Sequence, residues 1–337
     1  TFVAGVTAAI ATPTVTLANR RPGASMQPHT DTEIAIVGGG PAGLSAALVL
    51  GRARRQVILF DAGAPRNAPA AAAHNVYTRD GTPPAELNRI AREQLAAYPS
   101  VRVRPLLVRD AERLPDGTFA LIDADGGRTT AGVVVLATGV VDELPAVEGL
   151  RELWGTGVFH CPYCHGWEVR DQPFVLIAQG ARALHLARVL RGWSADITLC
   201  PVEGFEVEAE ERSALAGLGI RVRPAVRSLV GDGRGAVADA VLADGSRTGP
   251  VAVFTSAPVR QRSPLPEALG CTLHTEGMFA GLVQVDERGF AGVPGVWVVG
   301  DASQGFAQVI AAAYEGSLAA AMINNELLFE GRLPRGR

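Results

Sequence analysis

Ile34-Ala35-Ile36-Val37-Gly38-Gly39-Gly40-Pro41-Ala42-Gly43 is the stretch on which the reading of this chain turns. Its four leading apolar residues form the short run expected of a strand buried in a parallel sheet. Glycines follow at once, and Leu44 to Leu50 then carries helix-forming residues. A second apolar run, Val57-Ile58-Leu59-Phe60, ends at Asp61, 18 residues beyond Gly43. Strand, glycine turn, helix, strand and acid in this order give the spacing of a dinucleotide-binding βαβ unit. Gly38 permits the tight turn, Gly40 lets backbone approach a pyrophosphate, and Gly43 lets the helix pack on the strand. The helix N-terminus faces the phosphates, and Asp61 is placed to hydrogen-bond a ribose.

Working outward, a second unit of the same shape begins near Gln172. Phe174-Val175-Leu176-Ile177 reads as a strand, a helix runs through Leu190, and Ile197-Thr198-Leu199-Cys200 reads as the next strand. Its turn is damaged, because Ala178 stands where the first glycine belongs. Between the units, Val133-Val134-Val135-Leu136 is a buried strand ending in Ala137-Thr138-Gly139. Near the end, Val296-Trp297-Val298-Val299-Gly300-Asp301 places an acid just past a strand tip, and an alanine-rich helix is expected over roughly 308–328. The fold class is therefore α/β, with two Rossmann-like doubly wound domains.

Composition narrows the chemistry. All 31 basic residues among the 337 are arginine. With no lysine, Schiff bases, pyridoxal phosphate chemistry and the P-loop lysine are excluded. The 39 glycines follow no collagen-like period and read as turns and close backbone approaches. A net charge of −3 with no basic stripe argues against a nucleic-acid partner. No apolar run is long enough to read as a membrane span. Four cysteines at 161, 164, 200 and 271 are too few for a disulfide scaffold, which leads us to expect a cytoplasmic protein. Residues 1–30 read as a disordered or non-native arm, without the basic start of a signal peptide.

His160-Cys161-Pro162-Tyr163-Cys164-His165 is the expected chemical centre. CxxC spacing puts two sulfurs within disulfide reach, and Pro162 suits the first turn of a short helix. A helix N-terminus and nearby imidazoles would favour the thiolate. Half of a zinc site is the alternative, but there is no second CxxC, so no metal is expected. Cys200 and Cys271 read as packing thiols.

GGGPAG at 38–43, ATG at 137–139, CPYC at 161–164 and VGDAS at 299–303 with Gln308 occur in that order, and together they resemble the thioredoxin-reductase-like pyridine-nucleotide-disulfide oxidoreductases of low molecular weight. The resemblance implies an FAD domain over 31–146 and 273–330, with an inserted, degenerate NAD(P)-like domain carrying CxxC over 147–272 and a tail over 331–337. It implies that Gly38, Gly40, Gly43 and Asp61 hold the adenosine and pyrophosphate of FAD. Ala137, Thr138, Gly139 and Gly300 would complete that cofactor site, with Asp301 on the flavin ribitol and Gln308 close to the flavin. Cys164 would face the flavin and Cys161 the outside thiol. Where ordinary thioredoxin reductases follow the second cysteine with an aspartate acid/base, this chain has His165, a residue able to exchange protons near neutral pH. His160 is either a second acid/base or a structural imidazole, and His74, beside Asn75, is a further candidate to face the flavin site.

Such reductases hold the NADPH 2′-phosphate with arginines after the second strand of the inserted domain. Here Glu203, Glu206, Glu208, Glu210 and Glu211 occupy that place, and the first arginine is Arg212. Each close carboxylate–phosphate pair costs on the order of 1 kcal/mol near a surface. Glu203 could still accept a ribose hydroxyl of NADH. The damaged nucleotide site together with CPYCH resembles the dithiol oxidases of the gliotoxin and holomycin type. That branch implies a small-molecule dithiol substrate, molecular oxygen as acceptor, hydrogen peroxide as product and a homodimer. A nicotinamide-dependent disulfide reductase and a non-catalytic flavoprotein sensor are the competing readings.

Overall fold

A computed structural model describes residues 30–332. The expected arm therefore lies outside the described residues except for Thr30, as does most of the expected tail. The first unit runs β1 (Thr32–Val37), α1 (Pro41–Arg52), β2 (Val57–Phe60), α2 (Pro84–Leu95), β3 (Val101–Arg104), β4 (Val108–Arg113), β5 (Phe119–Asp123) and β6 (Arg128–Leu136). Its sheet has the order β3-β2-β1-β6-β5-β4. Pairing from β3 through β6 is parallel, whereas β4 and β5 form an antiparallel flap. All six residues of β1 are buried, the apolar run Ile34–Val37 as a strand covered on both faces requires, with Thr32 and Glu33 buried at its start.

At β7 (Val140–Asp142) the chain crosses into the second unit. There it builds β8 (Val158–Phe159), α3 (Pro162–His165), β9 (Phe174–Ala178), α4 (Gly180–Leu190), β10 (Ile197–Pro201), α5 (Ala209–Gly217) and β11 (Ile220–Val222). A hairpin of β12 (Val226–Gly231) and β13 (Val237–Leu242) precedes β14 (Ala252–Thr255). The resulting sheet, β11-β10-β9-β14-β8, is parallel throughout. The chain returns along β15 (Val259–Gln261), antiparallel to β7, so the two crossings form one ribbon. It then adds α6 (Leu265–Ala268), β16 (Val296–Val298) and α7 (Val309–Phe329) to the first unit.

β6 is long enough to serve two partners on one edge. Its first half pairs with β5, and Val134 to Leu136 pair with β16. That register delivers Gly300 and Asp301 beside the turn after β1, although they lie far apart in sequence. α7 presses so close to α1 that a Cβ on Gly316 would come within 2.0 Å of the Ala42 carbonyl oxygen. Behind them, Arg55 is fully buried, paired with Glu33 at 3.1 Å and bonded to Asn324 and the Arg332 carbonyl. These bonds tie the end of the described chain to β1.

The sequence reading returns the chain to the first unit at 273, whereas the structure returns it earlier. Leu265, Leu269 and Cys271 are buried with Val37, Ile58 and Phe60 in the first unit's core. The crossing is set by the β7–β15 ribbon, which carries no nucleotide motif to mark it.

Candidate active site

The turn after β1 shows why its glycines are needed. Gly38 has φ +114°, and a Cβ there would lie 2.2 Å from the Ala137 carbonyl oxygen. A Cβ on Gly43 would lie 1.8 Å from the Gly38 oxygen, so α1 can rest on this turn only with hydrogen at that position. Gly40 differs, for nothing lies within 4 Å of its ideal Cβ. That open face at the start of α1, a helix whose N-cap has no side-chain bond, leaves backbone donors free for phosphate oxygens. A cavity of about 730 Å³ opens here. Gly38, Gly40, Asp61, Ala137, Thr138, Gly139, Gly300, Asp301 and Gln308 all line it, whereas Gly43 stays behind as packing. Gln308 is the N-cap of α7, so a second helix start meets the cavity. The buried Thr138 hydroxyl has no partner within the protein, which leaves a hydrogen bond for a ligand. Asp61 accepts from the Gly63 amide at 2.8 Å and from Arg92 at 2.7 Å.

One organising residue of this cavity has no local signature in the sequence. Arg66, from the loop after β2, donates to both oxygens of Asp142 at 2.9 and 2.5 Å. It also reaches Asp301 at 2.8 Å. A single guanidinium thereby joins the crossing strand β7 to the tip of β16. Burial alone would raise the Asp142 carboxyl, but the bonds and charge of Arg66 hold it below its ordinary value.

Cys161 and Cys164 form a disulfide with Cα atoms 5.3 Å apart, Cys161 being the N-cap of α3. Both are half-buried. The cavity is lined by their flanking residues His160 and His165 rather than by the cysteines themselves. His165 stacks on Phe159 with ring centroids 4.6 Å apart, and both its ring nitrogens are buried without a partner. Burial lowers its pKa, partly offset by Glu168. His160 stacks on Trp154, and its pKa is pushed down to about 4 by burial and by the nearby Arg66 charge. Both imidazoles are therefore neutral at pH 7. In that form an imidazole can accept a proton but carries no positive charge to favour a thiolate.

His74 sits elsewhere than expected. It is absent from the cavity lining and lies between Asp80 and Glu168, near the redox segment. Cys200 and Cys271 are buried thiols, pushed up to about 12 and about 11 by burial, and so chemically quiet. Among the described residues no group of three or more His, Cys, Asp or Glu is arranged to hold a metal.

In the second unit the acidic stretch has a local explanation. Glu208 caps α5, and Glu211 closes the reciprocal capping box. Glu203 and Glu206 remain exposed just beyond the tip of β10.

A nucleotide cradle whose cavity extends to the two histidines flanking a CxxC disulfide is the arrangement of a flavin-type disulfide oxidoreductase. Residues 32–316 match the family model of the pyridine nucleotide-disulphide oxidoreductases, and the chain belongs to that family. FAD is its cofactor, and the cradle of Gly38, Gly40 and Thr138 fits that group. Among similar proteins is a probable thioredoxin reductase of Arthroderma benhamiae, 31% identical over 97% of this chain and 86% of its own length. The thioredoxin reductase tcpT of Claviceps purpurea is 32% identical over 87% and 93%. The solved structure of HlmI superposes with a TM-score of 0.83 at 36% identity, covering 89% of this chain and 93% of that one. The thioredoxin-reductase-like resemblance and low-molecular-weight architecture read from the motifs hold.

Proposed function

We propose that this chain is an FAD-dependent dithiol oxidase that closes an intramolecular disulfide in a small antibiotic-type molecule such as a dithiolopyrrolone, with oxygen as acceptor. The observation that carries this reading is the charge at the nucleotide end of the second unit. The exposed Glu203 and Glu206 meet any ligand arriving beyond the tip of β10. A 2′-phosphate there would face carboxylates, which disfavours NADPH as the electron source and leaves entry through the disulfide as the route we favour. The likeness to HlmI supports the same branch.

The thiol chemistry balances without a further reductant. A substrate thiolate attacks Sγ of Cys161, the Cys161–Cys164 bond breaks, and Cys164 leaves as thiolate. The second substrate thiolate then attacks the substrate sulfur of the mixed disulfide, forming the substrate's ring disulfide and freeing Cys161 as thiolate. Two electrons remain on the cysteines and two protons leave the substrate. His165, neutral and without a partner of its own, accepts a proton. FAD, when bound, supplies the two-electron acceptor chemistry that links the thiols to oxygen, which departs as hydrogen peroxide. The exposed Tyr163 and Trp167 beside the disulfide offer apolar rings to a small, uncharged substrate.

A homodimer fits the exposed apolar residues Ile310 and Tyr314 on α7. Among the described residues no helix is long and apolar enough to cross a membrane, and we place the protein in the cytoplasm on its cysteine usage. The test is anaerobic mixing of the flavoprotein with a reduced dithiolopyrrolone and, separately, with NADH and NADPH. Rapid bleaching by the dithiol alone supports the oxidase. Rapid bleaching by a nicotinamide alone makes the protein a reductase.

A further inference from the structure

The disulfide segment presents two different sets of side chains. His160 and His165 line the cavity, whereas Tyr163 and Trp167 take no part in that lining and are 55% and 65% exposed to solvent. Gly166 continues the α3 conformation at φ −64° and ψ −30°, so Tyr163 and Trp167, four residues apart, come up on one face beside Cys164. Both rings are pinned. Tyr163 stands edge-on to Trp193, with centroids 5.2 Å apart and planes at 88°, and its carbonyl accepts the Asn75 side-chain amide at 2.7 Å. A Cβ on Gly166 would lie 2.9 Å from the Trp193 ring, so glycine lets the turn after α3 close on that support. The Arg170 guanidinium lies over Trp167, 3.9 Å from the ring centroid, and its Nη1 donates to the Trp167 carbonyl at 2.6 Å. That bond holds the cation against one face of the indole, which leaves the ring's exposure to its other face and its edge.

We propose that Trp167, backed by Arg170, is a specificity-determining residue: its open face stacks a dithiol built on a flat, conjugated ring and sets that molecule's sulfurs against the disulfide. The inference rests on the dithiol reading above and adds to it the class of dithiol preferred. An indole already fixed by its neighbour has little rotamer freedom left to lose, so stacking on it costs little entropy. The chemistry is the exchange already described. The dithiol loses both S–H bonds, its ring disulfide forms as the Cys161–Cys164 bond breaks, two electrons pass to the cysteines, and the two thiol protons are released.

The test compares two dithiols that close the same six-membered ring disulfide: ortho-benzenedimethanethiol, which carries a flat ring, and dithiothreitol, which does not. Oxidised holoprotein is mixed with each in the absence of oxygen, and the ring disulfide formed in the first turnover is measured against dithiol concentration. Trp167→Leu keeps apolar bulk without a flat face. It should raise the half-saturating concentration of the aromatic dithiol about 3- to 10-fold, with little change in limiting rate, and move the dithiothreitol curve by less than about 2-fold. Trp167→Phe should recover most of that loss, and Arg170→Gln, which releases the indole, should raise the same concentration about 2- to 5-fold. Both side chains belong to exposed residues, so either substitution should leave folding intact. A ratio of the two half-saturating concentrations that stays at its wild-type value in Trp167→Leu and Arg170→Gln overturns the proposal. Equal losses with both dithiols do the same, for they mark a merely structural role. If the wild-type protein closes neither ring while NADPH bleaches its flavin, the dithiol reading falls and the proposal with it.

Discussion

Replacing Arg66 by glutamine probes the joint between the two units. The Arg66 side chain is 16% exposed, that of Asp142 8% and that of Asp301 22%. Three charge-assisted hydrogen bonds meet at one guanidinium, and removing it leaves Asp142 charged with only a neutral imidazole nearby. Breaking a fully buried pair costs about 3–5 kcal/mol, and the residual exposure reduces this to about 2–3 kcal/mol for Arg66→Gln. Asp142→Asn alone should cost about 1–2 kcal/mol, since Arg66 keeps Asp301. The double variant should cost less than the sum of the two by about 1.5–2 kcal/mol. Urea unfolding of the four proteins at pH 7 measures this coupling. Because Asp142 is held below its ordinary pKa, its contribution is present above about 4 and fades as pH falls through the depressed value. A coupling below about 0.5 kcal/mol at pH 7 would equal that of an ordinary surface pair and refute the reasoning.

Further outcomes follow from the same geometry. Cys161→Ser and Cys164→Ser should each abolish turnover while the protein still binds FAD, and His165→Ala should slow thiol oxidation by about 10² to 10⁴; full turnover in either serine variant contradicts the exchange scheme. Gly43→Ala places a Cβ 1.8 Å from the Gly38 oxygen, so α1 must move and FAD retention on purification should fall sharply. Glu315, which accepts the Gly300 amide at 2.7 Å, has its pKa raised to about 7 by burial, with Asp301 adding to it. Its neutral form is favoured by folding, so the stability it confers is complete below about 4.5 and lost as pH rises through about 7. Melting curves of Glu315→Gln should lose that part of the pH dependence.

Much of this architecture is written locally. The βαβ start is legible because Gly38 and Gly43 face backbone atoms within the same short segment, and no side chain fits there. Asp301 is legible because strand tips of doubly wound sheets collect ligands. The return point near 260 is not, since it depends on where Leu265 and Leu269 find a core that was built mostly from residues before 140. Arg66 is invisible for a related reason: its two acids lie 76 and 235 residues away. His74 is misread because the loop that carries it leaves its own unit to meet Glu168. The histidines around CxxC are evident as residues, but their neutrality is not. It arises from burial against Phe159 and from the charge of Arg66.

The direction of electron entry is the central claim, and the flavin's absorption reports it directly. In the absence of oxygen, stoichiometric reduced dithiolopyrrolone should bleach the bound flavin within seconds, NADH and NADPH should leave it yellow over the same time, and admitting air should restore it with one hydrogen peroxide per disulfide closed. Prompt bleaching by NADPH, with no response to the dithiol, would contradict the account.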